Sequence, residues 1–382
     1  MTEAYIVEAV RTAGGRRNGA LAGWHPADMA GRMLDAAVAG AGIDPAAVED
    51  VIMGCCSQAG EQSYNIGRNA VMASTLPDSV PGVSVDRQCG SSQQAIAFAA
   101  MAVMSGVHDV VLAAGVESMS RVPMGSPMIP GLGVGPLSDR IKDRYQVKGL
   151  DQFTGAQMVA DKYGFDRDAL DAYALESHRR AAAAAQAGAF AREIVPLEGT
   201  SGVHDRDEGI RHDATIEGIG SVKPLKEGGA ISAANASQIC DGAAATLIVG
   251  ERALKDHGLT PLARIHNLTV TGGDPVIMLD EPIAATRQAL KRAGMRIEDI
   301  DLYEVNEAFS PIPMAWLKMI GADPAKLNVN GGAIALGHPL GATGAKLTAT
   351  LVHALRARGL RYGLHAMCEG GGTANVTIVE AL

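Results

Sequence analysis

Aromatic residues are scarce: Phe, Trp and Tyr together make up 4% of the 382 residues, with only two Trp. The core must therefore be filled by Ala, Val, Ile, Leu and Met, and the 46 Gly point to backbones packed close together. Net positive charge is lacking as well. A formal charge of −9 argues against a general nucleic-acid binder, which needs a basic field. A local basic patch would still suffice for an anionic ligand. No apolar run approaches the roughly 18 residues of a membrane span. The N-terminus, MTEAYIVEAVRT, lacks the basic and apolar regions of a secretory leader and enters a strand pattern almost at once. Cysteine is limited to Cys55, Cys56, Cys89, Cys240 and Cys368. An odd, scattered set in a chain of this size reads as reduced thiols of a cytoplasmic protein, not as a disulfide framework. Neither C-x-x-C nor H-x-x-x-H occurs, so no metal site is expected.

What is present is a repeat. Hydrophobic residues (47%) and charged residues (20%) are ordinary for a globular chain, long enough for two to three folding units. Residues 27–54 read as an amphipathic helix, an Ala-Gly end, a short acidic segment and a strand. Residues 282–306 read the same way. Met29, Met33 and Ala37 recur at helical spacing in the first; Ile283, Thr286 and Leu290 do so in the second. Gly42 and Gly294 punctuate the two helix ends. Cys89 follows Gly42 at nearly the distance at which His338 follows Gly294, and each precedes a small-residue helix and another strand. Any α/β protein repeats strand and helix; the shared order and spacing favour duplication. Alternating elements with apolar strands imply sheets covered by helices, and two such halves stack as α/β/α/β/α. The halves are taken as 1–118 and 246–382. Between them, 119–245 breaks the pattern with a Gly/Pro/Met-rich loop and one strong helix from about Asp166 to Gly188, capped by Asp166.

Four motifs carry candidate chemistry. In VDRQCGSSQQAI, Cys89 sits between a strand ending in VSV and a helix. A helix N-terminus favours thiolate over thiol, although an inert buried cysteine is a common alternative. In GGAIALGHPLGATG, His338 is pinned between Gly337 and Pro339, as a positioned base for a thiol would be. The glycines there lack dinucleotide-loop spacing. CEGGGTAN, from Cys368 to Asn375, offers exposed backbone N–H groups suited to an oxyanion hole, or a plain turn. VNEAF places Asn306, an uncharged donor and acceptor, at a strand end. Cys55 and Cys56 read as core residues.

Together these motifs resemble the thiolase family of acyl-CoA C-acyltransferases. That family combines a nucleophilic Cys after a V-N-R-x-like strand end, N-E-A-F, G-G-x-x-A-L-G-H-P-x-G and C-x-G-G-G, in this order, and the likeness spans about 4–381. The resemblance implies a thiolase-like five-layered α/β/α/β/α fold of two duplicated halves with an inserted lid. It implies that Cys89 carries the acyl group, that His338 takes the thiol proton, and that Cys368 moves the proton at the α-carbon of acetyl-CoA. Asn306 and His338 would stabilise the enolate, and the N–H groups of Cys89 and Gly370 the tetrahedral oxyanion. IRHDATIEGIG resembles the coenzyme A loop, with Arg211 at the nucleotide and Ser237 at the pantetheine arm. Arg140, Lys142, Arg144 and Lys148 are weaker phosphate candidates, or simply a solvated face. Coenzyme A enters as substrate, no cofactor is permanently bound, and the family is homodimeric or homotetrameric.

The chain departs from the family pattern in three places. Gly90-Ser91-Ser92 replaces C-S-G near the nucleophile. Glu369, Thr373 and Ala374 stand in the C-I-G-G-G-Q-G segment. Asp151-Gln152-Phe153 replaces the lid's His-Met-Gly, which shapes a short acyl pocket. The pattern is closer to actinobacterial thiolases that degrade fatty acids or steroid side chains than to biosynthetic acetoacetyl-CoA thiolases. Decarboxylating condensing enzymes of this fold lack the second cysteine, and non-catalytic carriers replace N-E-A-F. Cys368 and the intact NEAF stretch speak against both.

Overall fold

A computed structural model describes residues 2–129, 131 and 133–382. Pro130 and Leu132 of the Gly/Pro/Met-rich loop lie outside the described residues.

The duplication is visible element by element. Pro26–Ala41 is a helix that ends at Gly42 with φ +70° and leads through the 3-10 turn Pro45–Ala47 to the strand Asp50–Gly54. Glu281–Ala293 ends at Gly294 with φ +65° and leads through Ile297–Asp299 to the strand Leu302–Val305. Both glycines donate back to the last turn in the left-handed conformation that a Cβ would disfavour. The helices Ser91–Met104 and Thr343–Arg358 follow, then the strands Val110–Ser118 and Tyr362–Glu369. The halves differ at one edge. Gly82–Val85 pairs in parallel with Asp50–Gly54, whereas in the second half the corresponding neighbour of Leu302–Val305 is the single bridge Tyr303–Leu327.

Ala4–Arg11, Cys240–Gly250, Val110–Ser118, Asp50–Gly54 and Gly82–Val85 follow one another in the first half-sheet. Ala263–Gly272, Thr373–Ala381, Tyr362–Glu369 and Leu302–Val305 form the second. The halves join into one ten-stranded sheet through only two residue pairs, Tyr5–Arg264 and Ile6–Ala263. The 245/246 boundary taken from the sequence falls inside the strand Cys240–Gly250, which pairs with Ala4–Arg11 and Val110–Ser118.

Strand alternation divides the core into layers. Val110, Leu112, Ala114 and Val116 face the helix Pro26–Ala41, packing with Met29, Met33 and Leu34. Val111 and Ala113 face inward, toward Ile96 and Ala99 on one inner helix and Ala345, Ala349 and Val352 on the other. Beyond these lie Ile265 and Leu302 of the second half-sheet, whose far face (Leu364, Ala366, Ile378) packs on Ile283, Ala285 and Ala289. Outer helix, sheet, inner helices, sheet, outer helix: five layers. The inner helices touch backbone to backbone, for a Cβ on Gly344 would come within 2.2 Å of Gln93 N. Ala and Gly fill this middle layer because nothing larger fits.

The inserted segment holds the expected helix, Arg167–Gln186, with Asp166 Oδ1 accepting from Ala169 N at 2.9 Å. It also holds two helices that the loop-like composition hid, Asp139–Tyr145 and Gln152–Tyr163. Asp151 caps the second by accepting from the backbones of Phe153 and Thr154. Among the described residues, no helix is long and apolar enough to cross a membrane.

Candidate active site

Cys89 sits in the turn between the strand Gly82–Val85 and the helix Ser91–Met104, immediately before the N-cap Gly90. Gln88, just before it, adopts φ +49°, a conformation L residues rarely hold and one that recurs where a side chain must be presented. Cys89 is 8% exposed and packs with Met119, Leu340, Leu347 and Met367, next to Cys56. The sequence led us to expect a thiolate stabilised by the helix start. The structure corrects this: burial pushes the Cys89 thiol well up, and Cys368, Cys56 and Glu369 add to the effect. A helix terminus contributes about 0.3–1 kcal/mol, less than desolvating an anion costs.

His338 follows Gly337 in the loop before the second inner helix, and it is buried. Its backbone N–H donates to Gln238 O at 3.0 Å. Thr343 Oγ1 uses its hydrogen on Pro339 O (2.9 Å), so at 2.6 Å it can only accept from His338 Nδ1–H. Nε2 is then the bare nitrogen, and Asn306 Nδ2 donates to it at 3.4 Å. Burial, and then the Lys346 ammonium, lowers the imidazole to about 3. The resting site therefore favours a neutral imidazole and a neutral thiol.

Asn306 ends the strand Leu302–Val305, its N–H donating to Ala366 O at 3.0 Å, while its Oδ1 is buried with no partner among the described residues. Cys368 lies near the end of Tyr362–Glu369, opposite Ala374, and burial followed by the Glu369 carboxylate pushes it up to about 12. Gly370 abuts the nucleophile turn: a Cβ there would lie 3.0 Å from Gln88 Oε1. The structure thus gathers Cys89, Asn306, His338, Cys368 and Gly370 from both halves into one buried region.

Several supports escaped sequence reasoning. Glu117 is fully buried in an otherwise apolar strand. It accepts from the backbone N–H groups of Cys56 (2.9 Å), Ser57 (3.0 Å) and Gly341 (2.9 Å), and from Gln62 Nε2 (2.9 Å). One carboxylate thereby ties Cys56, at the edge of the nucleophile pocket, to the histidine loop. Glu307 of NEAF does the same for the insertion, accepting from Tyr173, Ser177, Asn328 and Ile334 N. Lys346, also buried, donates to Leu336 O and Gly337 O beneath the histidine loop. It stands 3.9 Å from Asp207, which Arg11 holds at 2.8 Å. A charged residue inside an apolar stretch, as in VVLAAGVES, was the available signal for Glu117.

Arg211 and Ser237 do not touch the thiols. Arg211 is exposed, its N–H donating to His178 Nδ1 at 3.2 Å. With Arg179, Arg206 and His212 it borders a groove of about 1180 Å³ between the helix Arg167–Gln186 and the loop 205–214. Cys89, His338 and Cys368 do not line that groove. Ser237 is half-buried and donates its N–H to Ala308 O at 2.9 Å, next to the Gln238 that holds His338. Arg140, Lys142, Arg144 and Lys148 are exposed or half-exposed and also lie off the groove. Among the described residues, no group of three His, Cys, Asp or Glu is placed to hold a metal ion.

The N-terminal domain model of thiolase matches residues 4–252, and the thiolase C-terminal domain model matches 259–381. The chain belongs to the thiolase family. It is an acyl-CoA C-acyltransferase. The steroid 3-ketoacyl-CoA thiolase FadA6 of Mycobacterium tuberculosis is 53% identical, over 100% of this chain and 95% of that protein. A 3-ketoacyl-CoA thiolase of Bacillus subtilis is 38% identical over 100% of both chains. Among solved structures, human mitochondrial 3-ketoacyl-CoA thiolase in complex with CoA superposes with a TM-score of 0.90. It is 36% identical, with 100% of this chain and 98% of that chain covered.

Proposed function

We propose that this thiolase works degradatively, cleaving a 3-ketoacyl-CoA with CoA to give acetyl-CoA and a shortened acyl-CoA that carries a bulky, steroid-derived group. The observation that carries this reading is the convergence of two thiols, a base nitrogen and a buried amide from both halves of the chain. In the first half-reaction Cys89 Sγ attacks the 3-keto carbon as its proton passes to His338 Nε2, the nitrogen that the Thr343 bond leaves free. Neither group is charged at rest, so the proton moves as the oxyanion forms. The N–H groups of Cys89 and Gly370 stabilise that oxyanion. Cys368, still a thiol at neutral pH, protonates the departing α-carbon, while Asn306 and His338 hold the enolate oxygen. CoA then takes the acyl group from Cys89.

Arg211, on a rim shared with Arg179, Arg206 and His212, is read as the contact for the nucleotide phosphates. Ser237, one residue from Gln238, is read as the contact for the pantetheine arm, and segment 119–245 as the lid that receives coenzyme A. Bulk in the acyl group is supported by the 53% relative's name. It is also supported by the lid, where Asp151 is engaged in capping and Phe153 stacks edge-on against Phe309 at 5.5 Å. Five free cysteines support a cytoplasmic location. A homodimer is supported by the edge strand Gly82–Val85, with Val83 exposed and with Tyr64, Phe98 and Met101 exposed nearby.

The test is a panel of 3-ketoacyl-CoA substrates from four carbons to steroid-derived chains, scored by kcat/KM for cleavage. The proposal expects the steroid-derived substrates to lead; a clear preference for acetoacetyl-CoA would overturn it.

A further inference from the structure

Two serines, Ser91 and Ser92, open the helix behind the nucleophile, and both are fully buried. Ser92 Oγ accepts from Ala345 N at 2.9 Å, on the other inner helix. Ser91 Oγ bends back onto the turn that carries Cys89. It accepts from Arg87 N at 3.0 Å and donates to Gln88 O at 2.6 Å, and the Ser91 N–H donates to the same carbonyl at 3.1 Å. Asp86 Oδ1 accepts from Gln88 N at 2.7 Å. The backbone of Gln88, the residue at φ +49°, is thus held on both sides. The clamp has a firm seat. A Cβ on Gly54 would come within 2.3 Å of Ser92 N and 2.5 Å of the Ser91 carbonyl carbon, so the helix start lies directly on the end of the strand Asp50–Gly54.

The Gln88 C=O and the Cys89 N–H belong to one peptide unit. In a planar trans peptide these two groups point in opposite directions. Two donors on Gln88 O therefore fix where the Cys89 N–H points, and they polarise that N–H as well. It is one of the two donors proposed above for the tetrahedral oxyanion. The other, at Gly370, lies beside the same residue, since a Cβ there would be 3.0 Å from Gln88 Oε1. We propose that Ser91 is a positioning residue of the reaction, whose hydroxyl orients the 88–89 peptide so that the Cys89 N–H faces the oxyanion. This rests on the reading of Cys89 as the nucleophile. When Cys89 Sγ bonds to the 3-keto carbon, the thiol proton goes to His338 Nε2 and the carbonyl π pair moves onto the oxygen. A donor stabilises that charge fully only if it already points there. Without the hydroxyl, Gln88 O keeps only the longer bond from Ser91 N–H, and the left-handed backbone can relax, turning the Cys89 N–H with it.

The test sets two reactions of one thiol against each other, in wild type and in Ser91→Ala. Acylation of Cys89 by the 3-ketoacyl-CoA that wild type cleaves fastest passes through an oxyanion; rapid quenching and peptide mass spectrometry give its rate. Alkylation of Cys89 by iodoacetamide does not: sulfur bonds to carbon, iodide leaves, and no oxygen gains charge. Both are run at a temperature where the melting curve shows the variant folded. The proposal expects S91A to acylate about tenfold to a hundredfold more slowly, at or below the loss that follows removal of a whole oxyanion-hole donor, with alkylation little changed. Should S91A not fold, the double variant Gln88→Gly, Ser91→Ala replaces it, because glycine holds a positive φ without strain; the same selective loss is expected. An unchanged acylation rate, or an equal fall in both rates, would overturn the proposal. No acyl group on Cys89 of the wild-type enzyme would overturn the underlying reading, and the proposal with it.

Discussion

The two pseudo-symmetric junctions of this thiolase are held in different ways. At the first, Cys89 is presented by a turn with a left-handed Gln88, against Met and Leu side chains. At the second, His338 is fixed by Gln238, Thr343 and Asn306, over a loop bonded to Glu117 and Lys346. A nucleophile that forms and breaks bonds needs an apolar pocket open to its substrate. A base must keep one tautomer and one orientation through both half-reactions, and fixed hydrogen bonds provide that. Duplication supplied two equivalent helix starts, and the side chains around them set the roles.

The largest effect should come from breaking the second junction at its centre. His338→Ala removes the proton acceptor, and kcat/KM for cleavage should fall about 10²–10⁴-fold at temperatures where the melting curve shows the variant still folded, although the cavity and the unpartnered Asn306 lower its thermal transition. Steady-state kinetics alongside a melting curve checks both. A smaller, mixed effect is expected from Glu117→Gln, whose amide would point hydrogens at N–H groups that now find an acceptor. An unsatisfied buried donor costs about 1–3 kcal/mol, so the midpoint of denaturant unfolding should drop and kcat with it. Loss of stability with unchanged kcat would show that the staple between the junctions does not position the site.

The smallest effect sharpens the electrostatics of the buried region. His365 is buried with no partner for Nε2 among the described residues, and burial lowers it to about 3 from 6.5. Between those values the unfolded chain binds the proton and the folded one does not. Its stability contribution is therefore intact above pH 6.5 and is lost as pH falls toward 3. His365→Asn should flatten the decline in unfolding free energy between about pH 6.5 and 4, measured by denaturant titration; an unaltered slope would mean the imidazole is solvated.

The repeated helix, turn and strand were legible because Gly42 and Gly294 mark the same helix end and because apolar spacing survives duplication. Cys89, His338, Asn306 and Cys368 were legible because each lies in a short motif beside glycines. The thiol's ionisation was not: the helix start is visible in the sequence, but the desolvation that overrides it comes from Met119, Leu340 and Met367, distant in the chain. Glu117, Glu307 and Lys346 bond to partners up to 224 residues away, so their roles appear only once the chain is folded. The helices Asp139–Tyr145 and Gln152–Tyr163 were hidden by a neighbouring Gly/Pro-rich run.

The central claim is that the first junction carries the acyl group. Brief incubation with a 3-ketoacyl-CoA, acid quenching and peptide mass spectrometry tests it most directly, with Cys89→Ala as the comparison. The account predicts an acyl mass on the Cys89 peptide of the wild-type enzyme and none anywhere in C89A. An acyl group on the Cys56 or Cys368 peptide instead, or full turnover by C89A, would contradict it.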